Sequence, residues 1–210
     1  MAKKESNFMN MVLTLFMVTL ASAVALGVVF ELTKEPIAQA KQKKQNDAIM
    51  AVVPEFDNVP GDEAYEQEVD GGMLKFFPAK KGGNMVGMAI ETFTKNGFTG
   101  EIKLMVGFLP DGTINNIAVL EHKETPGLGD KMEKKKSDWS VQFNGKNPET
   151  FQLIVTKDGG DVDAITASTI SSRAYCDAVQ RAYDAFMKKS SDATSSATKT
   201  VKSENEGGQS

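Results

Sequence analysis

The stretch DVDAITASTISSRAYCDAV, residues 161–179, crowds five hydroxyl side chains together: Thr166, Ser168, Thr169, Ser171 and Ser172. Beyond Thr169 the spacing turns helical, with Tyr175, Val179, Ala182, Tyr183 and Phe186 on one face, which predicts a helix starting near Thr169. The first N–H groups of such a helix lack intrahelical partners, and the aligned peptide dipoles place positive potential at that end. An anion is welcome there. On these residues alone two readings stay open. In one, Ser168 or Thr169 caps the helix by accepting an N–H and the other hydroxyls are polar neighbours; in the other, the helix start is a special site for an anion.

A second constellation lies well upstream, in LEHKETPGLGDKM, residues 120–132. His122 and Glu124 are two apart, so on a continuing strand they share a face. Pro126-Gly127 suits a type II turn, with proline at the first central position and glycine at the second. Gly127 and Gly129 would let the backbone approach a flat ligand closely. An ordinary loop after a strand accounts for the same residues.

Much else is excluded by counting. One cysteine, Cys176, and one histidine, His122, leave no disulfide framework, no Cys/His zinc site and no CxxC redox pair. No GxSxG elbow accompanies His122. The net charge is −4 and the basic residues form no stripe with interleaved aromatics, so no nucleic-acid partner is expected. Cys176 reads as a small packed side chain of the last helix.

The elements that must position these residues follow from hydropathy and period. MVLTLFMVTLASAVALGVVF, residues 11–30, carries no charge, and about 20 apolar residues span the ~30 Å bilayer core. A cleaved signal peptide is the competing reading, with Ala21-Ser22-Ala23 as the cleavage site, but the apolar run continues well past it. An uncleaved anchor over residues 11–32, after a short segment 1–10, is therefore expected. Lys3 and Lys4 precede the span while Lys34, Lys41, Lys43 and Lys44 follow it, so charge does not decide its orientation. Ala23 and Gly27 form a small-xxx-small pair.

Pro36 is read as opening a polar helix to about Val53, within a stalk and connection over 33–60, and the acidic EFDNVPGDEAYEQEVDGG as a surface connection. Short strand-favouring runs follow at Met73–Phe77, Met85–Thr94 and Glu101–Phe108, and PDGT joins the last to INNIAVLEH as a hairpin. A further strand is expected at Phe151–Thr156. With the terminal helix packed on the sheet, the fold class is α+β: one N-terminal transmembrane helix, then a mainly antiparallel sheet packed with helices. The folded domain is assigned to 61–189, and the polar tail 190–210 is expected to be disordered.

DAITASTIS resembles the flavinylation motif of the FMN-binding domain shared by the G subunit of Rnf complexes and the C subunit of sodium-pumping NADH:quinone oxidoreductases. That motif runs D-x-x-S/T-G-A-T, then a further hydroxyl residue. Asp163, Thr166 and Thr169 match in place, while Ala167 stands where glycine is usual and Ser168 where alanine is usual. The second constellation is similar to the H-x-E-T-P-G-L-G-D segment of the same proteins, and its DK leans toward the Rnf protein. The resemblance implies FMN esterified through its phosphate to Thr169 by a separate flavin transferase that uses FAD. Under it Ser171 and Ser172 become candidates for further phosphate hydrogen bonds, with Thr166 and Ser168 part of the cradle. Asp163 goes to recognition by the transferase or to a turn. His122, Glu124 and Thr125, with Gly127, Leu128 and Gly129, would line the isoalloxazine pocket, although His122 reads equally as a surface histidine. Trp139 and Phe143 are assigned to core packing in preference to ring stacking.

The resemblance further implies a single-pass subunit of a bacterial inner-membrane complex, its domain on the extracytoplasmic side, beside other Rnf-type subunits. It would carry electrons between redox centres that link ferredoxin and NAD to ion transport, with no catalytic residue and no metal of its own. The rivals are the homologous C subunit of the quinone-reducing pump and a cofactor-free anchored interaction module.

Overall fold

The computed structural model describes residues 8–69 and 71–205, with side chains through Lys188. It divides into two compact units, Met1–Lys44 and Gln45–Ser210. Through the first runs helix α1, Phe8–Val52, whose apolar part has a mean hydropathy of 2.4 and no buried residue, long and apolar enough to cross a membrane. Pro36 lies inside α1 instead of opening a new helix. It deletes one N–H bond, to the carbonyl four residues back, on an exposed turn where other partners can reach that oxygen.

The second unit begins with the last turns of α1. Its sheet is an antiparallel meander ordered β1-β2-β3-β4-β5: Tyr65–Val69, Gly72–Lys81, Asn84–Thr94, Ile102–Phe108 and Ile114–Glu121. Alternation along the strands builds two cores. Leu74, Phe76, Met88, Ile90, Leu104, Val106 and Phe108 point to one face, and Phe77, Ala79, Ala89 and Met105 to the other. The first face is closed by helix α2, Thr169–Asn205, through the expected Tyr175, Val179, Ala182, Tyr183 and Phe186. Two buried threonines of β3 fasten it: Thr92 Oγ1 donates to Ala178 O (2.9 Å) and Thr94 Oγ1 to Asp177 Oδ2 (2.6 Å). On the second face Ala48, Ile49 and Val52 of α1 pack with Val53.

Three elements differ from the sequence expectation. Tyr65–Val69, taken as surface connection, is edge strand β1, and Tyr65 stacks on Phe76 with centroids 4.9 Å apart. Its alternate glutamates face water, so only half the strand carries an apolar signal. Phe151–Thr156 is not a sheet strand. Among the described residues its only ladder contact is the bridge Val155↔Val162, and it continues into a 3₁₀ turn, Thr156–Asp158. Its backbone pairs with the segment leading into the hydroxyl cluster: Val162 N donates to Ile154 O (3.0 Å) and Thr156 N to Val162 O (2.8 Å). Finally, the backbone of α2 continues through Asn205, into the tail expected to be disordered from residue 190. That stretch holds no proline or glycine before Gly207, so nothing in it breaks a helix already nucleated. The tail's side chains and residues 206–210 lie outside the described residues.

Candidate functional site

The hydroxyl cluster and the upstream loop meet. A cleft of about 350 Å³ is walled by Glu124, Thr125, Gly129, Ala167, Ser168, Thr169 and Ser171 and rimmed by the exposed side chains of Phe98, Leu128 and Ile170. Thr169 is the first residue of α2 and half-buried. The N–H groups of Thr169, Ile170 and Ser171 have no hydrogen-bond partner among the described residues, whereas Ser172 N already bonds Ser168 O (3.0 Å). That is the open donor set of a helix start, left unclosed by any side-chain cap.

The turn into the helix is held open by strain and hydrogen bonds. Ala167 has φ 60, the left-handed region that favours glycine. Ser168 N donates to Ile165 O (2.9 Å), and Ser172 Oγ accepts Ile165 N (2.9 Å) while donating to Ser168 O (3.0 Å). Ser172 is therefore a strut inside the turn. Ser171 Oγ donates to Glu124 Oε2. A hydroxyl has one proton, so neither serine keeps a donor for a phosphate, and the phosphate-binding expectation passes from these side chains to the backbone N–H groups.

Glu124 is buried and fully engaged. Its Oε1 accepts Thr99 N (3.0 Å) and Thr99 Oγ1 (3.1 Å), and its Oε2 accepts Ser171. Two glycines cage it: a Cβ on Gly97 would lie 2.9 Å from Oε1, and one on Gly129 would lie 2.8 Å from Oε2. Gly129 thus serves close packing of the site's own side chains. The Pro126-Gly127 turn forms as expected, closed by Leu128 N to Thr125 O (3.1 Å), with Gly127 at φ 78.

His122 does not line the cleft. Its Nδ1 accepts Glu124 N (3.1 Å) and its Nε2 lies 2.7 Å from Glu133 Oε1, a pattern that puts the ring proton on Nε2. It supports the cleft from behind, through the backbone of Glu124. Trp139 and Phe143 are core residues. Trp139 packs edge-on against Phe143 and Tyr175, with centroids 5.4 and 5.0 Å apart. Burial pushes the Tyr175 phenol far above its ordinary range and the Cys176 thiol up to about 12, leaving that thiol protonated and inert at neutral pH. On the surface beside the first turn of α2, the Arg173 guanidinium grips Asp158 at 2.7 and 2.8 Å and holds its carboxyl below the usual carboxylate range.

Sequence reasoning gave no role to Gly97, Phe98 and Thr99, which lie between two of the expected strands. The one available signal was an aromatic residue inside the glycine-rich turn KNGFTG.

Residues 97–184 match the FMN-binding domain family. The chain is 34% identical over 178 residues to the G subunit of the ion-translocating oxidoreductase complex of Haemophilus influenzae strain PittEE, covering 79% of this chain and 83% of the relative. It is 33% identical over 184 residues to the protein of the same name from Shewanella baltica, covering 80% and 85%. Against the Vibrio cholerae O395 protein, again of that name, it is 35% identical over 186 residues, covering 83% and 87%. The chain belongs to this G-subunit family. Its members are parts of a multi-subunit redox complex, and the FMN-binding domain makes this one a flavoprotein.

The residues present fit FMN. The cleft lies within the ~300–1,000 Å³ of small-molecule sites, its rim is apolar as a flat ring system requires, and the three open N–H groups beside Thr169 suit a phosphate. No group of three or more metal-ligating side chains exists among the described residues.

Proposed function

We propose that this protein is the membrane-anchored electron carrier of an Rnf-type complex that couples ferredoxin/NAD electron transfer to ion translocation. In this reading Thr169 carries FMN as a phosphoester and the domain faces the extracytoplasmic side. The observation that carries the reading is the position of Thr169: a half-buried hydroxyl at a helix start whose first N–H groups have no partner among the described residues, on the wall of an apolar-rimmed cleft.

Attachment balances as a transfer from FAD. The Thr169 oxygen forms a bond to the flavin-side phosphorus, the pyrophosphate P–O bond breaks, AMP leaves with the electron pair, and the hydroxyl proton passes to a base of the transferase. The phosphodiester keeps one negative charge, which the N–H groups and dipole of α2 hold without a lysine. Bound FMN supplies reversible electron uptake, and the chain's residues set its surroundings. Phe98, Leu128 and Ile170 exclude water from the ring's place. Glu124 is held rigidly by Thr99 and Ser171 at the cleft wall, while His122 positions it through the backbone N–H of Glu124. Asp163, with its exposed carboxylate, and Thr166 are offered to the transferase.

Intact mass tests the reading. Protein expressed with a flavin transferase should gain the mass of one FMN less one water and fluoresce in a denaturing gel. Thr169→Ala should lose both completely. Unmodified wild type, or a fluorescent Thr169→Ala variant, overturns it.

A further inference from the structure

We infer that Gln142, helped by Trp139, is the positioning residue that presents the modification loop to the flavin transferase in a preformed shape. Neither residue belongs to the flavinylation motif, and both sit on the short 3₁₀ helix Trp139–Phe143. The side-chain amide of Gln142 pairs with the backbone of Asp163 as a strand neighbour would. Its Oε1 accepts Asp163 N (2.8 Å) and its Nε2 donates to Asp163 O (3.3 Å). Because Asp163 N can only donate, the amide orientation is unambiguous. Trp139 Nε1 donates to the same carbonyl (2.6 Å), and Gln142 Nε2 also donates to Trp139 O (3.0 Å).

The clamp has a firm base and a defined effect. Phe143 is fully buried and Trp139 leans on Tyr175, so the 3₁₀ helix is rooted in the main core. Two residues past Asp163, Ile165 plugs the same core and its N–H is fixed by Ser172 Oγ at 2.9 Å. Past these anchors the backbone turns outward through the left-handed Ala167 and into α2. The Asp163 side chain, Thr166 and Ala167 are exposed while the backbone on either side of them is tied down. A transferase therefore meets a single loop shape carrying its recognition residues. Without the clamp, Asp163 samples many positions, and only a fraction of the protein is competent to bind at any instant. The transferase's KM then rises by the reciprocal of that fraction.

The inference rests on the flavinylation reading, and its test is in vitro flavinylation of the full-length, detergent-solubilised chain with FAD and transferase, followed by intact mass. Gln142→Ala is expected to raise the transferase's KM for this protein about tenfold with kcat retained and the melting temperature close to wild type. Trp139→Phe, which keeps an aromatic ring and removes only one of the donors, should raise it less. A merely structural role would lower the melting temperature and leave KM per folded molecule unchanged. Should Gln142→Ala fail to fold, Gln142→Glu keeps the acceptor for Asp163 N and removes the donor to Asp163 O and Trp139 O, and a smaller rise in KM above wild type is expected. Wild-type KM in the folded variants overturns the clamp alone. Wild-type chain that never gains mass overturns the flavin reading and the clamp with it.

Discussion

Two helix ends meet the same sheet, and they are finished in opposite ways. At the C-terminus of α1 the orphan carbonyls are closed off: Asn115 Nδ2 donates to Val52 O (2.8 Å) and Asn116 Nδ2 to Ala51 O (2.9 Å). Gly107 of β4 packs so tightly there that a Cβ would stand 1.9 Å from Val52 O. At the N-terminus of α2 three N–H groups have no partner among the described residues, and the hydroxyls of Ser171 and Ser172 bond elsewhere. Unpaired backbone groups cost free energy when shut away from water, and a fold that can cap one end can cap the other. The open end is the one beside a cleft, as the proposed FMN site requires.

The contrast can be broken first at the closed end. Gly107→Ala forces a methyl into the backbone of Val52, with no flexible side chain to give way, and should cost about 3 kcal/mol in denaturant unfolding. A loss under ~1 kcal/mol would mean that the end of α1 is not held there. Asn115→Ala removes one partly buried hydrogen bond and should cost about 1 kcal/mol, with the more exposed Asn116→Ala costing less. Both variants should gain FMN mass like wild type, because they touch only the closed end; impaired flavinylation in either would couple the two ends. The smallest effect belongs to the open end. Ala167→Gly relieves a left-handed alanine but gains unfolded-chain entropy, leaving a net stabilisation of about 0.5 kcal/mol, read as a small rise in melting temperature. A fall would show that the turn does not need its positive φ.

The strands β2 to β5 were legible because each carries a strong apolar run bounded by turn residues. β1 was not, since YEQEV buries only alternate positions and its glutamates read as surface. Phe151–Thr156 has strand-like composition, yet its partners are the loop residues around Val162, a pairing that no local period encodes. Both motifs of the site stood out in the chain. What hid was everything that supports them from elsewhere: Thr99 and Gly97 around Glu124, and Gln142 and Trp139 around Asp163. The assignment of Ser171 and Ser172 to a phosphate shows the same limit. Hydroxyl count and spacing mark a polar helix start, but one proton per hydroxyl goes to whichever acceptor the fold brings nearest.

Local chemistry along the chain determined an apolar span of bilayer length, four strands, a helix beginning at Thr169 whose start suits an anion, and a glycine-bearing turn at Pro126-Gly127. These depend on period, composition and residue type within a few positions, which a linear string carries in full. Tertiary structure alone decided which helix end stays open, that the two segments share a cleft, and which donors are already engaged. Those outcomes are set by groups distant in sequence competing for the same hydrogen-bond partners and the same space, and that competition exists only once the chain has folded.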